Sequence, residues 1–209
     1  MSTLNPPSRR QRKRLQTASQ LSSTAFQLFE THGYDNVSME QIASVADVAK
    51  ATLYAYFPQK ESLVAYRFRE DIAKGMTERA SALAAFRSFD ARMRFLLKES
   101  AAWHSERKIY LPHYIRFLMN QAPWLSDGTE RRGDYTGTVQ ILTHLFLAAQ
   151  KSGEISPQPP AAQVAWHFQY LLFGAVTGWL VDPAVSLEDR FLAAFDLVMH
   201  GISASLGRS

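Results

Sequence analysis

Lys50, Thr52, Tyr54 and Tyr56 fall within one short run, KATLYAYF, whose apolar residues are too few to bury a whole helix. Ammonium and hydroxyl groups spaced along such a segment suit a nucleic acid. Contacts to phosphate supply affinity there, and contacts to base edges supply specificity. A second group lies upstream. Arg9, Arg10, Arg12, Lys13 and Arg14 place five positive charges in six residues, with no acidic residue before Glu30. A basic run of this kind reads as a flexible arm that lies along phosphates or enters a minor groove.

Chemistry of other kinds finds little support. The chain has no cysteine, which removes disulfides, thiol nucleophiles and cysteine metal sites together. Its six histidines are scattered without a metal-binding spacing, and neither GxSxG nor a phosphate-cradling glycine loop occurs. No enzyme, metal or cofactor is expected. Hydrophobic content of 46% with 20% charged residues describes an ordinary folded chain. The most apolar run, YLLFGAVTGWLV, is 12 residues, too short to cross a bilayer, and the stretch after the basic cluster is too polar for a secretory signal. A cytoplasmic protein with no membrane partner is the expectation.

Helical periodicity positions these groups, and the fold class is all-α. Leu15, Ala18, Leu21, Ala25, Leu28 and Phe29 recur at spacings of three and four, which predicts a helix from about Arg12 to Thr31, closed at Gly33. Ser38 with Gln41 three residues on forms a capping-box pattern for a second helix, whose inward stripe is Met39, Ile42, Ala43 and Ala46. After a turn at ADVA, a third helix runs from about Lys50 to Phe57 and stops at Pro58; a fourth reaches to about Ala84. Two short helices joined by about four residues and braced by a third make a helix-turn-helix. Its second helix can leave Lys50, Thr52, Tyr54 and Tyr56 outward if that face lies in a major groove.

The stretch FETHGYDNVSMEQIASVADVAKATLYAYFPQKESL resembles the DNA-binding region of the TetR family of bacterial transcriptional repressors. The shared features are HGY closing the first helix, S-x-x-x-I-A opening the second, T-L-Y-x-Y-F on the recognition helix, and K-E-S-L. The resemblance implies phosphate contacts from Ser38, Tyr56 and Lys60. It implies base or adjacent phosphate contacts from Lys50 and Thr52, and a tyrosine at Tyr54 that packs close to the DNA backbone. It also implies a homodimer on double-stranded operator DNA, released by a small-molecule effector. The same fold serves activators, and a DNA-binding protein without a ligand is a further alternative. The sequence departs from the family at the turn, where Gly-Val-Ser is replaced by Asp47-Val48-Ala49, so the recognition helix lacks a hydroxyl cap.

The expected division is a basic arm (1–14), a helix-turn-helix domain (15–60) and a ligand-binding and dimerisation domain (61–209). In the last, helices are predicted at about Phe89–Ser105, Lys108–Gln121, Arg131–Lys151, Ala161–Val181 and Leu187–Leu206, with Pro112 ending or kinking the second near Tyr110. Gly174 and Gly178 sit four apart, and Phe191, Phe195 and Val198 form an apolar stripe on the final helix. These five are the candidate dimer interface, in line with the resembled family. Dense aromatics with a few polar groups suit a small-molecule pocket, for which Trp103, Tyr110, Phe117, His144 and Phe173 are the candidates.

Overall fold

The computed structural model describes residues 8–120 and 137–200, and those residues are helical and irregular with no strand among them. The chain is all-α, as its periodicity requires. It divides into two compact units: residues 8–71 with 112–120, and residues 72–111 with 137–200. The division falls inside the fourth helix, not at its start. The first unit therefore takes in the opening turns of that helix and a segment from beyond residue 111, more than the 15–60 expected.

In the first unit, α1 runs Arg9–His32, α2 Met39–Val45, α3 Lys50–Tyr56 and α4 begins at Lys60. Helix α1 starts earlier than its apolar pattern suggests. Ser8 caps it, accepting from the Gln11 amide at 3.2 Å while Gln11 Oε1 accepts from the Ser8 amide at 2.8 Å. The five basic side chains therefore project from a capped helix, which corrects the flexible arm expected over 1–14 as far as residues 8–14 are concerned; 1–7 lie outside the described residues. Ser38 and Gln41 repeat the device for α2, at 3.1 and 2.7 Å. The core here is Leu21, Ala25, Phe29, Ile42, Leu53, Leu63, Val64 and Phe68, each almost completely buried. Ser22, also buried, donates to the Leu63 carbonyl at 3.4 Å and ties α1 to α4.

Gly33 adopts φ 81°, which an L side chain rarely tolerates, and its amide closes α1 on Phe29 at 2.9 Å. Helix α4 spans Lys60–Glu78 and α5 follows at Ala80–Ala85, so the long helix expected to continue to Ala84 breaks at Arg79. The cause is local. Gly75 has no Cβ, and one built there would lie 2.8 Å from Arg79 Nη1. The guanidinium occupies that space, donating to the Gly75 carbonyl at 3.2 Å and, through Nε, to Glu99 at 2.8 Å.

In the second unit α6 spans Phe89–Glu106 and ends in a 3-10 turn at Lys108–Tyr110. Helix α7, Leu111–Asn120, starts afresh there, with Pro112 in its first turn where no amide is needed. Its residues from Pro112 belong to the first unit. Then come α8 (Thr138–Ser152), α9 (Ala161–Val181) and α10 (Leu187–His200). The predicted helix limits at Gln121, Arg131 and Leu206 lie outside the described residues. Four rings fill the centre: Phe89 lies 5.3 Å from Phe146 and 6.0 Å from Phe195, and Phe168 closes the set at 5.9 and 6.0 Å from those two. Arg94, paired with Asp90 one turn earlier on α6, also pairs with Asp196 and so fastens α6 to α10. At 21 residues α9 is long and apolar enough to span a bilayer by length and composition, although its buried face joins α8 and α10 in this core.

Candidate DNA-binding surface

Helix α3 buries one side chain, Leu53, while Lys50, Ala51, Thr52, Tyr54 and Ala55 are exposed and Tyr56 is half-buried. A seven-residue helix cannot hold itself in water. It is fixed from both ends. Leu53 and Phe57 anchor it in the core, and the preceding turn sets its direction. In that turn Asp47 takes φ 53°, a left-handed conformation that Asp tolerates better than most residues, and the Val48 amide donates to the Ala43 carbonyl at 3.0 Å. Ala49 has the extended backbone of an N-cap and makes no side-chain cap, as its missing hydroxyl dictates.

The outward face is not idle. Lys50 pairs with Glu40 of α2, and its ammonium lies 5.7 Å from the Tyr54 ring. Hydrogen bonding to Lys50 holds the Glu40 carboxyl below its ordinary range, and the same contact raises Lys50. Both groups stay charged at neutral pH. Tyr54 is 38% exposed, so it belongs to the surface and not to the core. Arg14 of α1 lies over the Tyr56 ring at 5.8 Å, which brings the basic turn of α1 beside the end of the recognition helix. Ser38, exposed, presents its hydroxyl at the start of α2 while capping it.

Lys60 is differently placed. Its ammonium donates to the carbonyls of Tyr34 and Val37, at 2.7 and 2.9 Å, and lies 4.2 Å from the Tyr34 ring centroid. Two of its three protons are thus spent on the loop between α1 and α2, and the side chain holds that loop to the first turn of α4. This adds a structural duty to the phosphate contact expected of it. Tyr34 and His113 complete the arrangement: their rings stack at 3.7 Å, and Arg116 of α7 reaches Glu61 at 3.5 Å. Burial, with Glu61 adding to it, pushes the Tyr34 phenol up. Among the described residues no three of His, Asp and Glu converge as metal ligands.

Residues 21–66, which hold this surface, match the model of the bacterial regulatory proteins of the tetR family. Similarity extends further. The chain is 29% identical over 204 residues to MftR of Mycobacterium tuberculosis, named as a mycofactocin biosynthesis transcriptional regulator, covering 91% of this chain and 93% of that one. The DNA-binding region of this chain is that of the TetR family.

Other TetR-family comparisons agree. RutR of Escherichia coli K12 is 29% identical over 144 residues, covering 66% of this chain and 64% of its own. In fold, the chain is similar to Thermus thermophilus FadR, a repressor solved with lauroyl-CoA, at a TM-score of 0.79 and 18% identity over 92% and 98% of the two chains. A regulator from Saccharomonospora viridis solved with choline matches at 0.56 and 19% identity, over 90% and 97%. The α2–turn–α3 segment is thus the DNA-binding helix-turn-helix of a transcriptional regulator.

The other TetR-type expectations fare unequally. Phe191 and Phe195 are 1% and 0% exposed within one chain, because α10 turns this stripe onto Phe89, Phe168 and His104. They are core residues, a correction to the proposed interface. Gly178 is half-buried, and a Cβ there would lie 3.4 Å from Arg190 Nη1; Val198 is half-buried too. Gly174 alone of the five faces open space. Among the pocket candidates His144 is exposed on α8. Tyr110 is buried, and Trp103 and Phe173 are half-buried in the second unit. Phe117 is half-buried in the first. Arg107 covers Trp103 at 4.7 Å, and Lys108 covers Trp179 at 4.6 Å.

Proposed function

We propose that the chain is a homodimeric repressor, and not an enzyme, that works in the cytoplasm and leaves its operator when a hydrophobic small molecule occupies the C-terminal unit. The observation that carries the DNA-binding half is α3, seven residues of which only Leu53 is buried. Lys50, Thr52 and Tyr54 contact base edges and adjacent phosphates, while Ser38, Tyr56 and the basic turn Arg9, Arg10, Arg12 and Lys13 contact the backbone. Lys60 offers its remaining proton to a phosphate and otherwise keeps the helix-turn-helix in register.

Dimerisation supplies the second recognition helix, about 34 Å away on a two-fold site. The face that suits it is on α9, where Trp166, Tyr170, Gly174 and Val181 are all exposed along one side. In support of this effector class, Trp103, Tyr110 and Phe173 are the aromatic candidates in the C-terminal unit, and the T. thermophilus relative in fold was solved with lauroyl-CoA. An acyl or aryl body is the common element. A coupling of about 1–3 kcal/mol between the two sites is enough to regulate.

The test is binding of purified protein to DNA upstream of its own gene, against random DNA of equal length, at about 150 mM salt where non-specific contacts weaken. Selective binding, relieved by a medium- or long-chain acyl-CoA or an aromatic acid, is the expected result. Equal weak binding to both DNAs would remove the sequence-specific reading.

A further inference from the structure

The first unit contains a cleft of about 500 Å³ that DNA recognition does not account for. It lies between the start of α1, the end of α3 and the middle of α4. Leu15, Phe57, Tyr56 and Tyr66 form its apolar and aromatic walls, and Arg14 and Arg69 line it as well. Leu15 is 52% exposed, although it continues the apolar stripe of α1. The sequence places a hydrophobic residue here, and the fold leaves it uncovered.

The charge around the cleft has one predominant sign. The Arg14 guanidinium lies 5.8 Å from the Tyr56 ring centroid, and that of Arg69 lies 5.2 Å from Tyr66. Neither guanidinium forms an ion pair among the described residues. The acidic group facing this region is Glu70, which together with burial raises the Tyr66 phenol to about 12, so Tyr66 stays a neutral donor to the Leu15 carbonyl at 3.3 Å. Two guanidiniums without an ion pair among the described residues, set against the Glu70 carboxylate, leave a positive mouth over an aromatic floor.

We propose that this cleft is a second small-molecule site, one that takes an aromatic carboxylate. The aromatic body lies against Leu15, Phe57 and Tyr66, and the carboxylate is met by Arg14 and Arg69. The volume is ample for two or three fused rings, within the range of ordinary ligand pockets. Guanidinium is the group whose planar fork matches a carboxylate. Arg14 and Tyr56 also belong to the DNA-facing surface, so an occupant withdraws both from phosphate and competes with the operator. This consequence rests on the DNA-binding reading above; the binding site itself does not.

The probe is 1-naphthoate, titrated calorimetrically into the full chain, with 1-naphthalenemethanol as its uncharged counterpart. Naphthoate should bind, and the alcohol should bind at least about tenfold more weakly. Arg14→Gln with Arg69→Gln should lose affinity by about tenfold or more, and Leu15→Trp, which fills the cleft from an exposed position, should block it. Thermal melts of each variant exclude unfolding as the cause. Naphthoate affinity unchanged in both variants, or undetectable at about 1 mM in the wild type, overturns the site. Where the upstream DNA is bound, naphthoate should weaken it in the wild type and not in Leu15→Trp. Failure of the DNA to bind at all bears on the regulatory reading alone, because calorimetry still decides the site.

Discussion

The imidazole of His113 stacks on the phenol of Tyr34, with centroids 3.7 Å apart and planes 29° from parallel. Tyr34 is 4% exposed, and its carbonyl accepts from Lys60, so α7 rests on the corner that holds α1, α2 and α4 together. The stack has a cost as well as a gain: His113 Nδ1 is buried without a hydrogen-bond partner among the described residues. Burial accordingly lowers the His113 pKa and keeps the ring neutral.

His113→Ala should therefore destabilise the protein by about 1–2 kcal/mol, through loss of ring contact and of buried area. His113→Phe keeps the ring and removes the unsatisfied nitrogen, and should match or exceed the wild type. Urea denaturation of the three proteins separates these effects. An Ala variant as stable as wild type would show that the stack holds nothing.

The Lys50–Glu40 pair makes a prediction about DNA. A carboxylate beside the first lysine of the recognition helix opposes phosphate, and Lys50 must leave it, or share it, on binding. Glu40→Gln should raise affinity for random DNA by about twofold to fivefold and steepen the log–log salt slope by about one for each subunit. Lys50→Ala should weaken binding and flatten the slope by a similar step. Anisotropy titrations between low and physiological salt read both. If Glu40→Gln left slope and affinity alone, the pair would have no part in recognition.

The sequence makes the helix-turn-helix legible because its signals are local. Ser38 and Gln41 are three residues apart, Leu53 is flanked by side chains that cannot join a core, and Asp47 at a tight turn carries its positive φ. Ser8 and Gln11 repeat the first of these patterns, yet five neighbouring positive charges make the segment read as a tail; the cap outweighs their repulsion. Lys60 is harder to read, because its partners are main-chain carbonyls at Tyr34 and Val37, which leave no residue signature. The stripe through Phe191 and Phe195 shows where the limit lies. Periodicity reports that a helix face is covered, and it cannot say whether the cover comes from the same chain or from another.

That ambiguity becomes testable once the faces are known. Tyr170→Glu and Gly174→Arg alter the exposed side of α9, and each should give a folded monomer by light scattering, with DNA affinity reduced accordingly. Phe195→Ala should act otherwise. It opens a cavity among Phe89, Phe168 and Arg94, costs about 3–5 kcal/mol of stability, and leaves any surviving folded protein dimeric. Dimers that persist in both α9 variants would move the interface to another face.

Acidification should weaken the second unit through His104. Its Nδ1 lies 2.7 Å from the Ser100 carbonyl, and its ring sits between Trp103 at 4.9 Å and Phe191 at 5.7 Å. Burial lowers its pKa from 6.5 to about 4, with Arg107 adding to the effect and the Ser100 carbonyl opposing it. The unfolded chain then takes up a proton near pH 6.5, whereas the folded chain resists until about pH 4. Stability from this residue is complete above pH 6.5, falls as pH drops through that window, and stops falling below about pH 4. The total loss is about 3 kcal/mol. Carboxylates also titrate in this range, so the comparison is with His104→Asn, which can still donate toward Ser100 but cannot ionise. Urea midpoints between pH 7.5 and 5 should fall more steeply for the wild type than for the variant. Parallel curves would mean that His104 takes its proton as easily in the fold as outside it.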